Sequence, residues 1–532
     1  MSAEAQSPLA GAGLRRRVRA AELVSGRRIY VILLAAGLLI SGFTILRRVD
    51  PFDEGIALQA ARRVMQGQLP HRDFLWPYGP AEPYLMAGLF KLFGVSLLDW
   101  RILRVASDAA AALAVFVLAR RVAGTWLALL AWLAAACALA QPTSANPEAE
   151  ALAFGLWAVV AVSGEAEPGA GALVTGGVLT AVAAAWRPDF GGYALLACVA
   201  ALLPRPGGRG RRLAVYGAAF ALPLAAVYLP LLIAAGPHDF YEGLVGNSAR
   251  QGSYWRLPFP IHYRGPLPLW PPWQLAKRAK DVLVFYVPLL LVIGFALGGG
   301  VAAWRWARTR ALSWTSAAVV VLGLCTLLYL LSRTDDLHTA PLLCAVAVLL
   351  AGAAAWLRPQ FAWVPLVVLL LLTIYGASNR LSAAILPPHL ETIHVPVADG
   401  VKEGPANARA LDRVVPLVQR LVPPGGYIYV APRRSDLVRL NDPTLYALAE
   451  RNDPLNRDFG LQTSPAAQAQ IVAVLRRVHP RVVIRWTDPI SSQPEPNRRG
   501  RSSGSRILDG YLAGAYRLLE RDGFYDVLVP RG

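Results

Sequence analysis

The chain has 532 residues, of which 55% are hydrophobic and 16% charged, against about 25% charged in a soluble globular protein. The deficit lies in the first three quarters, where long apolar runs alternate with short basic clusters, and it excludes an ordinary soluble enzyme for that part. The net charge of +19 does not point to nucleic acid: much of the excess is Arg between apolar runs, as the positive-inside rule requires, and no aromatic–basic repeat of a nucleic-acid module is present.

Residues 1–28 carry Arg15, Arg16, Arg17, Arg19, Arg27 and Arg28 and are expected to form a cytoplasmic tail. The first apolar run, Tyr30 to Leu46, then reads as a retained, outward-running signal anchor, because no small-residue cleavage site follows it. Spans are predicted near 29–47, 103–119, 123–140, 151–163, 171–186, 190–203, 213–235, 282–300, 313–331, 341–357 and 361–378, about eleven in all. The pair around Trp186-Arg187-Pro188-Asp189 reads as two short spans or one broken hairpin. Arg120-Arg121, the basic stretches 204–212 and 304–310, and Arg358 fall inside, with Arg47-Arg48 a local exception on the outer side. The outer loops are then 48–102, 140–150, 236–281 and 332–339, and an odd number of spans puts the C-terminus outside.

Within the loop 48–102, Phe52, Ile56, Ala60 and Val64 sit at helical spacing, with Gln59, Arg62, Arg63 and Gln66 elsewhere on the wheel. This predicts a helix lying on the membrane, ended by Gly67 and Pro70. A second helix over Glu82–Phe93 is mostly apolar and is expected to bury against the bundle. Residues 381–532 alternate strand-like runs (Tyr427–Val430, Arg481–Trp486, Tyr525–Val529) with helix-like ones (Ala408–Leu421, Ala466–Val478, Arg506–Leu519), as a small soluble α/β domain does. Ser491–Ser505 reads as an exposed loop. The four cysteines, Cys137, Cys198, Cys325 and Cys344, all lie in apolar runs, so the C-terminal part has no disulfide. No zinc spacing, glycine-rich phosphate loop, nucleophile elbow or Asp-x-Asp motif is present, and no cofactor is expected. The fold class is a polytopic α-helical membrane protein, with a transmembrane domain over 29–380 and an extracytoplasmic α/β domain over 381–532.

The chemistry-bearing residues gather in the outer loops. Directly after the first span come Asp50-Pro51-Phe52-Asp53-Glu54, then Gly67-Gln68-Leu69-Pro70-His71-Arg72-Asp73-Phe74, Tyr78-Gly79-Pro80 and Leu89-Phe90-Lys91-Leu92-Phe93-Gly94. Asp50 suits an N-cap, Pro51 the first helical position and Asp53 the first turn, which a helix start alone would explain. Asn146-Pro147-Glu148-Ala149-Glu150 forms a second acidic cluster, open to the same helix-start explanation. Arg333-Thr334-Asp335-Asp336-Leu337-His338 puts four ionisable side chains on a short turn, where an Arg and a His suit a phosphate and a snorkelling Arg is the simpler alternative. Arg187 and Asp189 interrupt two apolar runs, as a functional pair or as a structural bridge. In loop 236–281, Arg250 and Trp255 stand among other Arg, Tyr and His residues, suited to gripping phosphate and stacking on sugar or to an interfacial belt.

The order of motifs after the first span resembles the GT-C superfamily of membrane glycosyltransferases, and within it the bacterial protein mannosyltransferase and aminoarabinose transferase group, over residues 29–380. The resemblance implies a polytopic enzyme that takes a sugar from a polyprenyl-phosphate carrier on the outer face of the membrane. It assigns Asp53 as general base, with Glu54 as its alternative and Glu148 as a second acid on the same cavity. It implies substrate or phosphate contacts from Arg72, Asp73, Tyr78, Arg187, Asp189, Arg250, Trp255, Arg333, Asp336 and His338, because a phosphate leaving group needs cations. No metal ligands are implied.

The aminoarabinose transferases carry Lys-Pro-Pro where this chain reads Tyr78-Gly79-Pro80-Ala81-Glu82-Pro83. Arg72, Arg333 and His338 are then the candidates for holding the phosphate. The expected partners are a polyprenyl-phosphate sugar, a glycan, lipid or protein acceptor and membrane lipids, in a bacterial plasma membrane. The competing readings are a transporter or flippase of lipid-linked sugars, and an inactive member that binds an envelope polymer. A transporter is expected to carry matched repeats and interrupted helices, and no matched halves are visible.

Overall fold

The computed structural model describes residues 26, 28–140, 146–247, 249–250, 259, 270–309, 311, 313–335, 338–385, 389–437, 441–457, 463–492 and 502–531. Trp255, Asp336 and most of Ser491–Ser505 lie outside the described residues.

Each apolar run is helical. In chain order α1 spans Arg28–Gly42, α2 Asp53–Met65, α3 Ala81–Phe93, α4 Leu97–Val122, α5 Thr125–Leu139, α6 Glu148–Val162, α7 Ala170–Trp186, α8 Pro188–Leu202 and α9 Arg209–Ala235. They are followed by α10 Pro272–Thr309, α11 Trp314–Ser332, α12 Ala340–Trp356 and α13 Pro359–Ile385. Five of these are long and apolar enough to cross a membrane: α4, α9, α10 over Phe285–Thr309, α11, and α13 over Pro359–Ser378. The first helix ends at Gly42, earlier than the expected 47, because the residues after it turn away to pair with Lys402.

The bundle core is rich in alanine. Ala111, Ala112, Ala114, Ala128, Ala131 and Ala347 are all fully buried, which lets helix backbones approach closely. The α7–α8 break has a local cause. Arg187 precedes Pro188, whose ring disfavours a helical conformation at the residue before it, and Arg187 is extended (φ −143°, ψ 112°). Two glycines between α1 and α3 are set by close approach. A Cβ on Gly79 would lie 2.0 Å from the Ala185 carbonyl oxygen, and one on Gly55 would lie 2.1 Å from the Thr444 nitrogen.

The helix expected on the membrane surface is instead buried in protein. Every residue of α2 from Glu54 to Arg63 is buried. The polar side of its wheel is bound by C-terminal backbone: Arg62 Nη1 donates to the Tyr446 and Arg451 carbonyls, both at 2.9 Å, and Arg63 Nη2 to the Leu455 carbonyl at 2.6 Å. Ala57, Leu58, Ala61, Met86, Phe90, Leu97 and Trp100 share one apolar core with Val414, Val418, Val430 and Ile484. An isolated amphipathic wheel cannot tell lipid from protein as the partner of either face.

The C-terminal part holds α14 (Pro405–Leu421), α15 (Thr444–Leu448), α16 (Pro465–Val478) and α17 (Ile507–Ala515) around a four-stranded sheet. Its strands are β1 (Ile428–Pro432), β2 (Val482–Trp486), β3 (Tyr516–Asp522) and β4 (Tyr525–Pro530), in the order β1-β2-β4-β3. β1 and β2 are parallel, with Ile428 opposite Val482, and β4 pairs antiparallel with both β2 and β3. Alternation along β1 divides the two faces: Ile428 and Val430 join the core shared with α2 and α14, and Tyr429 and Ala431 join Leu475 and Leu512 beneath α16 and α17. Helix α17 stops at Ala515, short of the expected Leu519. From Tyr516 the chain forms a hairpin with β4, with Gly523 at the turn (φ 52°). That non-local pairing overrides the helical pattern.

Candidate active site

The site begins at the start of α2. Asp50 Oδ1 accepts the Phe52 and Asp53 N–H groups at 2.9 and 2.6 Å, which satisfies first-turn donors with no intrahelical partner. Glu54 Oε2 accepts the Asp50 N–H at 2.9 Å. Glu54 also takes a bidentate pair from Arg101, Nε to Oε1 at 2.7 Å and Nη2 to Oε2 at 2.8 Å, with both side chains wholly buried. Arg101 donates onward to the Ile45 carbonyl at 2.5 Å and to the Arg48 carbonyl. Asp50 and Glu54 are therefore occupied in fixing the chain where α1 turns into α2.

Asp53 differs from both: among the described residues no donor meets its carboxylate. Burial pushes that carboxyl up to about 8, with the neighbouring Asp50 and Asp335 adding to the rise and Arg333 opposing it. The loop between α11 and α12 thus comes within electrostatic reach of a helix start some 280 positions earlier in the chain. In that loop Arg333 Nε donates to Asp335 Oδ2 at 2.5 Å, and His338 Nδ1 lies 2.5 Å from Asp335 Oδ1. Burial alone would raise Asp335, but the His338 and Arg333 bonds outweigh it and hold its carboxyl below the usual range.

A third group joins from the α7–α8 break. Arg187 forms a fork with Asp189, Nε to Oδ1 at 3.0 Å and Nη2 to Oδ2 at 2.6 Å. Its Nη1 donates to Asn146 Oδ1 at 2.5 Å and to the Tyr329 hydroxyl at 3.3 Å. The guanidinium faces three rings, Tyr78, Phe190 and Tyr329, at 5.2, 4.7 and 5.0 Å. The Tyr329 hydroxyl donates to Glu148 Oε2 at 2.6 Å, and the His338 ring lies 4.7 Å from the Tyr329 ring. Tyr78 is within electrostatic reach of both Asp53 and Arg187. Asp53, Tyr78, Glu148, Arg187, Asp189, Arg333 and His338, drawn from five separate stretches of sequence, are therefore assembled at one end of the helical bundle.

The remaining expected contacts go elsewhere. Arg72 and Asp73 pair with each other at 2.9 and 2.7 Å and remain partly exposed. Arg250 pairs with Glu242. Arg72 and Arg250 line a separate cleft of about 220 Å³, with His71, Asp239, Asn456 and Arg457. His71 is buried there at φ 68°, its ring packed against Phe240 at 5.5 Å, and burial lowers it to about 4.

Several site neighbours were not anticipated. Arg104 pairs with Asp108 at 3.3 Å and donates to the Asn146 carbonyl at 3.1 Å. Tyr329 was hidden inside an apolar run. Glu82 is wholly buried, and neither of its carboxylate oxygens has a partner among the described residues. Burial holds its carboxyl well above the usual range, with Glu150 adding and Arg104 opposing. A lone carboxylate inside an apolar helix was the available signal for Glu82. Among the described residues no three His, Cys, Asp or Glu side chains converge as a metal site.

No protein-family model matches the chain, and no curated protein matches it. Solved structures do. ArnT from Cupriavidus metallidurans bound to undecaprenyl phosphate is 16% identical, over 94% of this chain and 98% of that one, with a TM-score of 0.54. The Archaeoglobus fulgidus oligosaccharyltransferase tethered with an acceptor peptide is 13% identical, over 86% and 69%, with a TM-score of 0.51. The arabinofuranosyltransferase AftD from Mycobacteria is 16% identical, over 95% of this chain and 41% of that one, with a TM-score of 0.51. At these identities the likeness is one of fold alone.

Proposed function

We propose that the protein is an inverting glycosyltransferase that moves a sugar from a polyprenyl-phosphate carrier to an acceptor hydroxyl of the cell envelope, on the outer face of the plasma membrane. One observation carries this reading: the Asp53 carboxylate, with no described donor, lies within electrostatic reach of Arg333 and Asp335, in the loop that also holds His338, at one end of a GT-C-like bundle. The ArnT relative binds undecaprenyl phosphate, and we extend a lipid-phosphate carrier of that class to this chain.

In the reaction the acceptor oxygen forms a bond to the anomeric carbon as the bond from that carbon to the phosphate oxygen breaks. The phosphate leaves with the bonding electron pair. Asp53 takes the hydroxyl proton, and Arg333, with His338 when protonated, balances the charge that grows on the phosphate. Attack opposite the leaving group inverts the anomeric configuration. Glu54 is given no chemical step, because both its oxygens are held by Arg101. Arg187 and Glu148 are assigned to the wall of the donor site through Tyr329. We further assign eleven of the helices in residues 28–385, α1 and α4 to α13, to the membrane, with residues 381–532 as an outer domain.

Transfer from a radiolabelled polyprenyl-phosphate sugar panel, by membranes holding wild type or Asp53→Asn, tests the reading. Transfer by wild type that is lost in a folded mutant supports it. No transfer from any donor by a folded wild type returns the protein to transport or polymer binding.

A further inference from the structure

The segment between α1 and α2 both starts the helix that carries Asp53 and fastens to the C-terminal part. The Lys402 N–H donates to the Leu46 carbonyl at 2.7 Å, the Arg48 N–H to the Lys402 carbonyl at 2.6 Å, and the Val49 N–H to Glu403 Oε2 at 2.8 Å. The Thr444 hydroxyl donates to the Asp50 and Pro51 carbonyls at 2.8 and 3.0 Å. Between this segment, the start of α14 and the β3–β4 turn lies a cleft of about 390 Å³, within the size range of small-ligand sites. Its wall reaches Pro51, two residues before Asp53.

The lining has a definite chemistry. Phe524 stands at the rim, 38% exposed, beside the left-handed turn at Gly523. Asp442 is buried and accepts the Tyr525 hydroxyl at 3.0 Å. Asn407 lines the cleft, and its enclosed Oδ1 has no donor among the described residues. Asn407 also lies in the first turn of the 17-residue α14, where backbone N–H groups lack intrahelical acceptors. Glu403, Asp442 and Asp488 outnumber the single cation Arg48, so the cleft is hostile to phosphates and carboxylates. An aromatic rim, a partly apolar wall and mixed donors and acceptors suit an uncharged polyhydroxylated molecule.

We propose that this cleft is a subsite for an uncharged sugar of a glycan acceptor, next to the sugar whose hydroxyl reaches Asp53. The binding of a neutral glycan stands on the cleft itself; its role as acceptor rests on the transferase reading. The test is ligand-observed NMR of the full chain in nanodiscs with neutral gluco-, manno- and arabino-oligosaccharides. Wild type should bind one of them. Phe524→Ala and Asn407→Ala, each checked for a wild-type melting temperature, should bind about tenfold more weakly or less. Failure of every neutral oligosaccharide to bind, undiminished binding by both cleft variants, or displacement by inorganic phosphate would overturn the proposal. Neutral-glycan binding by a protein that transfers from no polyprenyl-phosphate donor would leave the subsite standing and remove the transferase reading.

Discussion

Two charged clusters of the molecule hold the same kinds of side chain in opposite states. Around Arg72 and Arg250, each arginine is matched by its own carboxylate, Asp73 and Glu242, in a partly exposed cleft. At the start of α2 the matching is uneven: Glu54 is saturated by Arg101, and Asp53 has no described donor although it is pressed by Asp50 and Asp335. Matched pairs give a fold its shape; an acid held without a partner beside a cation is chemically poised. Asp53→Asn is the sharpest way to break the comparison. It should reduce transfer by about 10²–10⁴-fold, the usual contribution of a general base, with little loss of melting temperature. Glu54→Gln should do the reverse by leaving the buried Arg101 charge uncompensated. The fold should lose about 3–5 kcal/mol, read as a lower thermal midpoint in detergent.

Arg333→Ala should come next. It removes a cation from the leaving phosphate, and one such stabilising group is worth about 10²–10³ in kcat. A variant that kept wild-type kcat would move the phosphate to Arg187.

The elevated Asp53 carboxyl sharpens the comparison through pH. A base must be ionised to accept a proton, so kcat/KM in proteoliposomes should rise with external pH toward about 8 and fall about tenfold per unit below it. The sign for stability is opposite. Because the folded value lies above the usual aspartate value, this carboxyl favours the fold most at low pH, and that contribution is lost as pH rises through about 8. The wild-type melting temperature should therefore drop more than that of Asp53→Asn between the two limits.

Much of this arrangement was legible because it is local. The apolar runs became helices, the Arg187-Pro188 step broke a hairpin, and the Asp50 cap lay in the motif itself. What was hidden depends on partners far along the chain. In the sequence Glu54 stands as the alternative to Asp53, and only Arg101, 47 positions later, takes both its oxygens. The polar side of α2 suited water or headgroups until Tyr446, Arg451 and Leu455 supplied carbonyls to it. Tyr329, which joins Glu148 to Arg187, carries no local signal in an apolar helix.

The weakest expected effect tests the other half of the comparison. Sequence position put Arg72 and Arg250 among the phosphate ligands, but Arg72 is bound to its chain neighbour and Arg250 to an acid eight positions before it. Exposed pairs of this kind contribute little, because water already solvates both charges and salt screens them. Arg72→Ala and Arg250→Ala should each leave transfer within about fivefold of wild type, far above the level of Arg333→Ala. A loss comparable to Arg333→Ala, reversed by raising the donor concentration, would mean that the two clefts act on one carrier phosphate. The division between matched and unmatched charge would then describe only the unliganded protein.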